Sequence, residues 1–203
     1  MTAVTAVVFD VGNVLFEWDV RHLYRKLIPD KTTREAFLNN VATLAWHAQH
    51  DAGRPFAETS AELIVAHPQE RAWIEAWGPR WLETIPGPIA GMTELVVNLA
   101  ARDVPLFAIT NFSGEFWKPF VAREAVFFAP FRDIIVSGDE KLMKPDPAIY
   151  RLALHRFEIT AGEAIFIDDN LANVRGAEAE GFVGHHFTDA TTLRADLAAN
   201  GLL

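Results

Sequence analysis

The sequence predicts an α/β fold in which a parallel, doubly wound sheet is interrupted after its first strand by a helical insert. From about residue 92 onward, helical and strand patterns alternate along the chain, which is typical of a parallel sheet covered by helices on both faces. Between residues 20 and 82 the pattern is helical, with no strand signal. The linker IPGP at residues 85–88 separates the two patterns, so we expect the chain to return to the sheet there.

Five short segments have the composition of buried strands. The first, residues 3–9 (AVTAVVF), is apolar and rich in β-branched residues, and it ends at Asp10 and a glycine turn. The other four are residues 104–109, 133–136, 164–167 and 182–187. Each lies between helical patterns, as the strands of a parallel sheet do.

Helical patterns fill the intervals between these strands. In the second part of the chain we expect helices over residues 92–102, 113–123, 146–157, 171–180 and 191–199. The third begins at two prolines and the fourth stops at Gly181, both of which are typical helix boundaries. In the insert, glycine and proline divide the helical stretch at residues 53–55, 67–68 and 78–79.

Length and charge limit the classes of function. The chain has 203 residues and a formal net charge of −9. This negative charge argues against nucleic acid or a membrane surface as a partner. Because there is no cysteine, disulfides, thiolate chemistry and zinc–sulfur sites are excluded. No apolar run reaches the ~18 residues that cross a bilayer, and the start lacks the features of a signal peptide. We therefore expect a cytoplasmic protein, either a monomer or a homodimer.

Polar residues follow three of the predicted strands and precede one helix. They are Asp10, Thr110 with Asn111, Asp168 with Asp169, and Lys144 in the segment KPDP. Taken singly, each has a structural explanation as a turn former, helix cap or loop residue. Together they should meet at one edge, because parallel strands place their carboxyl ends on the same side of a sheet. Three carboxylates there would repel one another unless a cation binds among them, and oxygen ligands favour Mg²⁺.

Four segments around these residues resemble the motifs of the haloacid dehalogenase superfamily of hydrolases. They are FDVGNVL at 9–15, AITN at 108–111, KPDPAIY at 144–150 and FIDDNLANVRGA at 166–177. They occur in the family's order and span the whole predicted core. The Gly-Asn-Val after Asp10 and the later Asp-Asp-Asn are similar to bacterial sugar-phosphate phosphatases of the glucose-1-phosphatase type.

The resemblance implies a Rossmann-like core with a small helical cap inserted after the first motif. We expect residues 1–16 and 86–203 to form the core and residues 17–85 to form the cap. In this family the cap sets specificity, so Trp46 and His47 are candidate substrate contacts. Packing inside the cap is the alternative explanation for such aromatic residues.

The resemblance also implies roles for the motif residues. Asp10 would be the nucleophile that attacks phosphorus and forms an aspartyl-phosphate. Mg²⁺ would be held by Asp10, the backbone carbonyl of Gly12 and Asp169, with Asp168 as a second candidate. Asn173 stands where the family has a further acidic residue, and it would act through waters on the metal.

The remaining motif residues would bind and stabilise the phosphate. Thr110 and the amide of Asn111 would hold its oxygens, so both are candidates for substrate binding. Lys144 would neutralise the charge that develops on the transferred group, and Thr110 and Lys144 are therefore counted with Asp10 as catalytic. The expected partner is a small phosphorylated metabolite.

The sequence departs from the family at Gly12. Most phosphatases of this type carry a second aspartate there, which donates a proton to the leaving oxygen and later activates water. Its absence is expected to cost on the order of 10²–10⁴ in rate, unless a cap residue supplies the proton. Glu17, Asp19 and His47 are candidates, although each has an ordinary structural explanation at a helix start or on a helix surface.

Three functions remain open. The first is a magnesium-dependent phosphatase acting on a small phosphate ester, such as a sugar phosphate. The second is a metal-free dehalogenase of 2-haloacids in which Asp10 attacks carbon. Such enzymes usually carry an aromatic residue at the position of Gly12 and serines at those of Asp168 and Asp169. The third is a weakly active protein that binds a phosphometabolite, which the loss of the second aspartate suggests.

Overall fold

A five-stranded parallel sheet forms the centre of the fold, as the sequence predicts. The computed structural model of the protein describes residues 3–203. The strands are β1 (Ala6–Phe9), β2 (Leu106–Thr110), β3 (Phe131–Val136), β4 (Ala164–Asp168) and β5 (Val183–His186). Their order across the sheet is β3-β2-β1-β4-β5. The chain therefore changes direction of winding between β1 and β4, and a crevice forms at the carboxyl ends of strands around such a point.

Helices cover both faces of this sheet. They are α6 (Met92–Ala100), α7 (Gly114–Arg123), α8 (Ala125–Phe128), α9 (Ser137–Glu140), α10 (Pro147–Arg156), α11 (Leu171–Ala179) and α12 (Ala190–Ala199), numbered after the five helices of the insert. Successive residues of a strand point to opposite faces. Accordingly, Val7 and Phe9 join one apolar cluster while Ala6 and Val8 join the other. Burial on both faces explains why these strands read as continuous apolar runs.

The insert is helical, with no strand among its described residues. Its helices are α1 (Arg21–Leu27), α2 (Lys31–Asn40), α3 (Leu44–Asp51), α4 (Phe56–Ala66) and α5 (Arg71–Ala76). Side chains cap two of them, since Asp30 accepts from the Thr33 amide and Thr43 accepts from the Trp46 amide. No helix within residues 3–203 is long and apolar enough to cross a membrane.

The two connections between the insert and the sheet run side by side. The Glu17 amide donates to the Gly87 carbonyl at 3.0 Å, and the Ile89 amide donates to the Leu15 carbonyl at 2.9 Å. We propose this crossing as the boundary between a core of residues 1–16 and 86–203 and a cap of residues 17–85. Met1 and Thr2, which the sequence assigns to the core, lie outside the described residues.

Candidate active site

The predicted site residues meet where three neighbouring strands end. Asp10 directly follows β1, Thr110 ends β2 and Asp168 ends β4. Because β1 pairs with both β2 and β4, these three residues lie next to one another at the carboxyl edge of the sheet. Asp169 and Asn111 continue the chain from two of these strands.

Lys144 joins two of the carboxylates. Its Nζ lies 2.8 Å from Asp10 Oδ1 and 2.6 Å from Asp168 Oδ2, and its side chain is 1% exposed. The side chain of Asn111 fixes the backbone of this lysine, since its Oδ1 accepts from the Lys144 amide at 2.8 Å and its Nδ2 donates to the Lys144 carbonyl at 2.9 Å. The lysine is therefore positioned by β2 through Asn111.

Asp168 and Asp169 have contrasting surroundings. Besides the lysine, Asp168 accepts from the Asn170 amide at 2.8 Å and from Asn173 Nδ2 at 3.1 Å at each of its oxygens. Asp169 is exposed, yet one oxygen from each of Asp10, Asp168 and Asp169 lies within 4.8 Å of the others. Three hard oxygen donors so close together suit a divalent cation such as Mg²⁺. Asp168, whose oxygens are already hydrogen-bonded, is the least available of them.

Burial is the main influence on the charges at this edge of the sheet. The pKa of Asp10 is raised to about 7, mainly because the group is buried; Lys144 acts against the increase and the charge of Asp168 adds to it. Burial alone would lower the pKa of Lys144, but Asp10 and Asp168 outweigh it and the net pKa is raised, so the lysine stays charged. Burial, with the charge of Asp168, also raises the pKa of Asp169.

A cavity of about 390 Å³ opens above these residues, between the sheet edge and the insert. Its polar end contains Asp10, Gly12, Asn111 and Asp169. Its walls are mostly apolar and come from both parts of the chain: Phe16, Trp18, Leu44, Trp81, Ile85, Phe112 and Phe120. Within the described part of the chain, no arginine or lysine side chain lines it.

His47 is held between two of the aromatic walls. Its ring stacks on Trp81 with centroids 4.7 Å apart and on Trp18 with centroids 5.4 Å apart. Burial, reinforced by His50, lowers the pKa of His47 to about 3, so the imidazole is neutral at pH 7. Its Nε2 lies 3.6 Å from Oδ2 of Asp51.

Asp51 also lines the cavity and is not among the predicted site residues. Burial raises its pKa to about 7. The spacing from His47 is the sequence signal that could have led to it, since residues four apart on a helix share a face.

The structure brings most predicted residues together but not Trp46. Asp10, Gly12, Asn111, His47 and Asp169 line the cavity, while Thr110, Lys144 and Asp168 are buried beside it. The structure places Trp46 inside the cap instead, where its Nε1 donates to the Thr59 carbonyl at 3.2 Å and its ring meets that of Trp77 edge-on at 5.1 Å. Trp46 lies on a different face of α3, about 100° around the helix from His47. It is therefore a packing residue and not a substrate contact.

Two predicted proton donors also lie away from the cavity. Glu17 is exposed and pairs with His22 at 2.7 Å. Asp19 accepts from the Arg21 amide at 2.8 Å. Neither residue is part of the cavity wall.

Comparisons with known proteins agree with this architecture. The chain is 25% identical over 201 residues to a sesquiterpene phosphatase of Aspergillus oryzae, covering 93% of this chain and 92% of that protein. A Bacteroides thetaiotaomicron enzyme of the HAD family, solved with magnesium and inorganic phosphate, is similar in structure with a TM-score of 0.66 and 18% identity, covering 92% of this chain and 95% of that chain. An L-2-haloacid dehalogenase of Xanthobacter autotrophicus is also similar in structure, with a TM-score of 0.64 and 18% identity, covering 98% of this chain and 84% of that chain.

At these identities the two structural matches establish the fold and not the reaction. The sequence profile of the haloacid dehalogenase-like hydrolases matches residues 4–181, which is most of the chain. The predicted resemblance and the predicted fold class are thereby confirmed, and the chain belongs to the haloacid dehalogenase-like hydrolase family.

Proposed function

We propose that this protein is a magnesium-dependent phosphatase that hydrolyses phosphate monoesters through an aspartyl-phosphate on Asp10. The observation that carries the proposal is the cluster of Asp10, Asp168 and Asp169 around the buried ammonium of Lys144. The similarity to a sesquiterpene phosphatase supports it, as does a structural neighbour that holds magnesium and inorganic phosphate.

The donor set fits Mg²⁺. Asp10, Asp169 and the carbonyl of Gly12 would hold the ion. Asp168 is a further candidate, although its oxygens already accept hydrogen bonds from Lys144, Asn170 and Asn173. When bound, Mg²⁺ offsets the negative charge of the phosphoryl group and of the carboxylates around it.

The residues of the chain would then act as follows. Asp10 attacks phosphorus, and the bond from phosphorus to the leaving oxygen breaks. Lys144 stabilises the charge on the transferred group and favours the ionised form of Asp10 against the effect of burial. The Thr110 hydroxyl and the Asn111 amide hold phosphate oxygens. Water then attacks the aspartyl-phosphate, which releases inorganic phosphate and restores Asp10.

The cavity walls favour a substrate whose leaving group is apolar or aromatic and uncharged. The walls are largely aromatic and aliphatic, and none of the cations in residues 3–203 lines them. A second anionic group on the substrate, such as a carboxylate, would therefore lack a partner and would be desolvated at a cost. The activity named for the sesquiterpene phosphatase is consistent with such a substrate. A sugar phosphate, which the sequence suggests, would have to find its hydrogen-bonding partners among the polar lining residues, which include Asn13, Asn170 and Asn173.

The same features weigh against a 2-haloacid dehalogenase. Its substrate carries a carboxylate, and the cavity offers that group no arginine or lysine within the described residues. Without a metal, Asp168 and Asp169 would in addition repel it.

A panel of phosphate esters tests the proposal. It should include p-nitrophenyl phosphate, an isoprenoid alkyl phosphate, glucose 1-phosphate and phosphoglycolate, each with Mg²⁺ and with a chelator. We expect Mg²⁺-dependent release of phosphate, highest with the apolar esters and abolished in Asp10→Asn. The matched control is Asp139→Asn, an exposed acid outside the cavity, which should retain activity.

Two other outcomes would contradict the proposal. Halide release from 2-chloropropionate that is unaffected by chelator would indicate the dehalogenase. Tight binding of a phosphate ester without turnover of any member of the panel would indicate a binding protein.

A further inference from the structure

Phosphate-ester hydrolysis requires a group that this site does not provide at position 12. The leaving oxygen of an alkyl ester needs a proton as its bond to phosphorus breaks, and a positioned acid typically contributes about 10²–10⁴ in rate. Gly12 lines the cavity two residues after Asp10 but has no side chain. A positioned acid must therefore be another residue of the cavity.

Four titratable side chains line the cavity, and three of them are unsuited to be the proton donor. They are Asp10, His47, Asp51 and Asp169. Asp10 is the proposed nucleophile and Asp169 belongs to the cation cluster. His47 is wedged between Trp18 and Trp81, where its protonated form is strongly disfavoured by burial. Asp51 is the side chain that remains.

The surroundings of Asp51 suit an acid held ready to transfer a proton. The residue is 8% exposed, and its Oδ1 is buried without a hydrogen-bond partner. A buried carboxyl left in this state is costly to keep ionised. Its other oxygen, Oδ2, lies 3.6 Å from the neutral ring of His47.

The backbone of Asp51 is fixed to the core, although the residue belongs to the insert. Ser137, which follows β3, donates from its Oγ to the Asp51 carbonyl at 2.6 Å. The same Oγ accepts from the Phe112 amide at 3.0 Å. This contact holds the end of α3 against the loop that follows β2, and so sets where the Asp51 side chain stands in the cavity.

We propose that Asp51 is the general acid and base of the reaction, taking the role that an aspartate at position 12 would have. This assignment rests on the proposed phosphatase function. In the first step Asp10 bonds to phosphorus, the phosphorus–oxygen ester bond breaks, and the leaving oxygen takes the proton of Asp51. In the second step water bonds to phosphorus, its proton passes to the Asp51 carboxylate, and the bond between phosphorus and Asp10 breaks.

The charges facing Asp51 support this double role. Burial raises its pKa to about 7, the Ser113 amide and Lys144 act against the increase, and Asp10 adds to it. An acid with a pKa near the working pH is populated in both protonation states, which is the condition for giving a proton in one step and accepting one in the next.

The test is the dependence of rate on the leaving group in wild type and Asp51→Asn. Burst-phase release of the alcohol should be measured for p-nitrophenyl, phenyl and alkyl phosphates. We expect Asp51→Asn to lose on the order of 10²–10⁴ in rate with phenyl and alkyl esters, and much less with p-nitrophenyl phosphate, whose leaving oxygen needs little protonation. With p-nitrophenyl phosphate, phosphorylated Asp10 should also accumulate, because the first step stays fast while the second step loses its base.

A second variant distinguishes loss of the proton donor from misfolding of Asp51→Asn. A Cβ built at Gly12 meets nothing within 4 Å, so Gly12→Asp adds a carboxyl to the same cavity without a backbone clash. Combined with Asp51→Asn, it should restore turnover of alkyl esters and remove the phosphorylated intermediate. The matched control, Glu17→Gln, changes an exposed acid of the insert and should keep the wild-type leaving-group dependence.

The outcomes separate this assignment from the proposed function. Phosphatase activity that depends on Asp10, with the same leaving-group dependence in Asp51→Asn as in wild type, would overturn the role of Asp51 alone. A uniform loss with every ester, not rescued by Gly12→Asp, would indicate a structural role and would also overturn it. A wild-type protein that hydrolyses none of the esters would overturn both.

Discussion

The buried ammonium of Lys144 offsets the repulsion between the carboxylates of Asp10 and Asp168. It contacts Asp10 at 2.8 Å and Asp168 at 2.6 Å, and Asp168 is fully buried. The other hydrogen-bond donors to Asp168 are uncharged: the backbone amide of Asn170 and the side-chain amide of Asn173. The lysine is therefore both a proposed catalytic group and a structural cation.

Replacing Lys144 should consequently affect folding as well as activity. Lys144→Met keeps the aliphatic bulk but leaves the Asp168 carboxylate without a cation, and breaking a buried pair in this way costs about 3–5 kcal/mol. Urea unfolding in the presence of chelator measures the loss of unfolding free energy. The control is Lys118→Met at an exposed position of α7, and equal losses in the two variants would contradict this account of Lys144.

Helix α3 presents two different faces, and each has its own function. His47 and Asp51, four residues apart, line the cavity. Trp46 and His50, also four residues apart, pack into the interior of the cap, where their rings meet edge-on at 4.7 Å. The helix is thus a wall of the cavity on one side and part of the hydrophobic core on the other.

Ser137 anchors the end of this helix to the core. Ser137→Ala removes the bond to the Asp51 carbonyl and the one from the Phe112 amide, leaving two buried backbone groups unpaired. We expect the free energy of unfolding to fall by about 1–3 kcal/mol. Ser60→Ala is the comparison, because that buried serine makes a single bond of 3.3 Å within its own helix. A smaller loss at position 137 than at position 60 would argue against the anchor.

Elements whose residues follow a local pattern were predictable, whereas the orientation of the insert was not. The apolar strands and the polar residues at their ends are sequence features, so Asp10, Thr110 and Asp168 could be placed at one edge. Asp51 lies in the polar stretch HAQHDAG, which has the composition of a solvated helix end. Its backbone carbonyl is held by Ser137, 86 residues later, so its place in the fold depends on tertiary structure. Trp46 and His47 are neighbours in sequence, and only tertiary packing decides which of them reaches the cavity.

At the scale of the whole molecule, the buried histidines make stability sensitive to acid. His50 is fully buried and its Nε2 lies 2.7 Å from the Thr59 hydroxyl. Burial, with the charge of Arg54, lowers its pKa to about 4. The unfolded chain therefore binds a proton at this histidine below pH 6.5 while the folded chain does not. Its effect on stability is then favourable at neutral pH and is lost as the pH falls toward 4.

The replacement His50→Gln should reduce this sensitivity. A histidine that titrates only in the unfolded state contributes up to about 1.4 kcal/mol per pH unit to the slope of stability against pH. Unfolding free energies measured from pH 7 to pH 5 should thus fall less steeply in the variant than in wild type, whatever its stability at pH 7. Parallel curves for the two proteins would contradict a neutral, buried His50.

The crossing at residues 15–17 and 87–89 also determines whether the inserted segment could be exchanged for that of another protein. Because the Glu17 amide and the Gly87 carbonyl are only 3.0 Å apart, the inserted segment leaves the sheet and rejoins it at practically one point. A foreign segment of another length could be grafted there without displacing β1 or α6. Such a chimaera would keep the nucleophile and lose the proposed proton donor, which travels with the segment. Grafts into this core should accordingly carry Gly12→Asp if they are to retain turnover of alkyl esters.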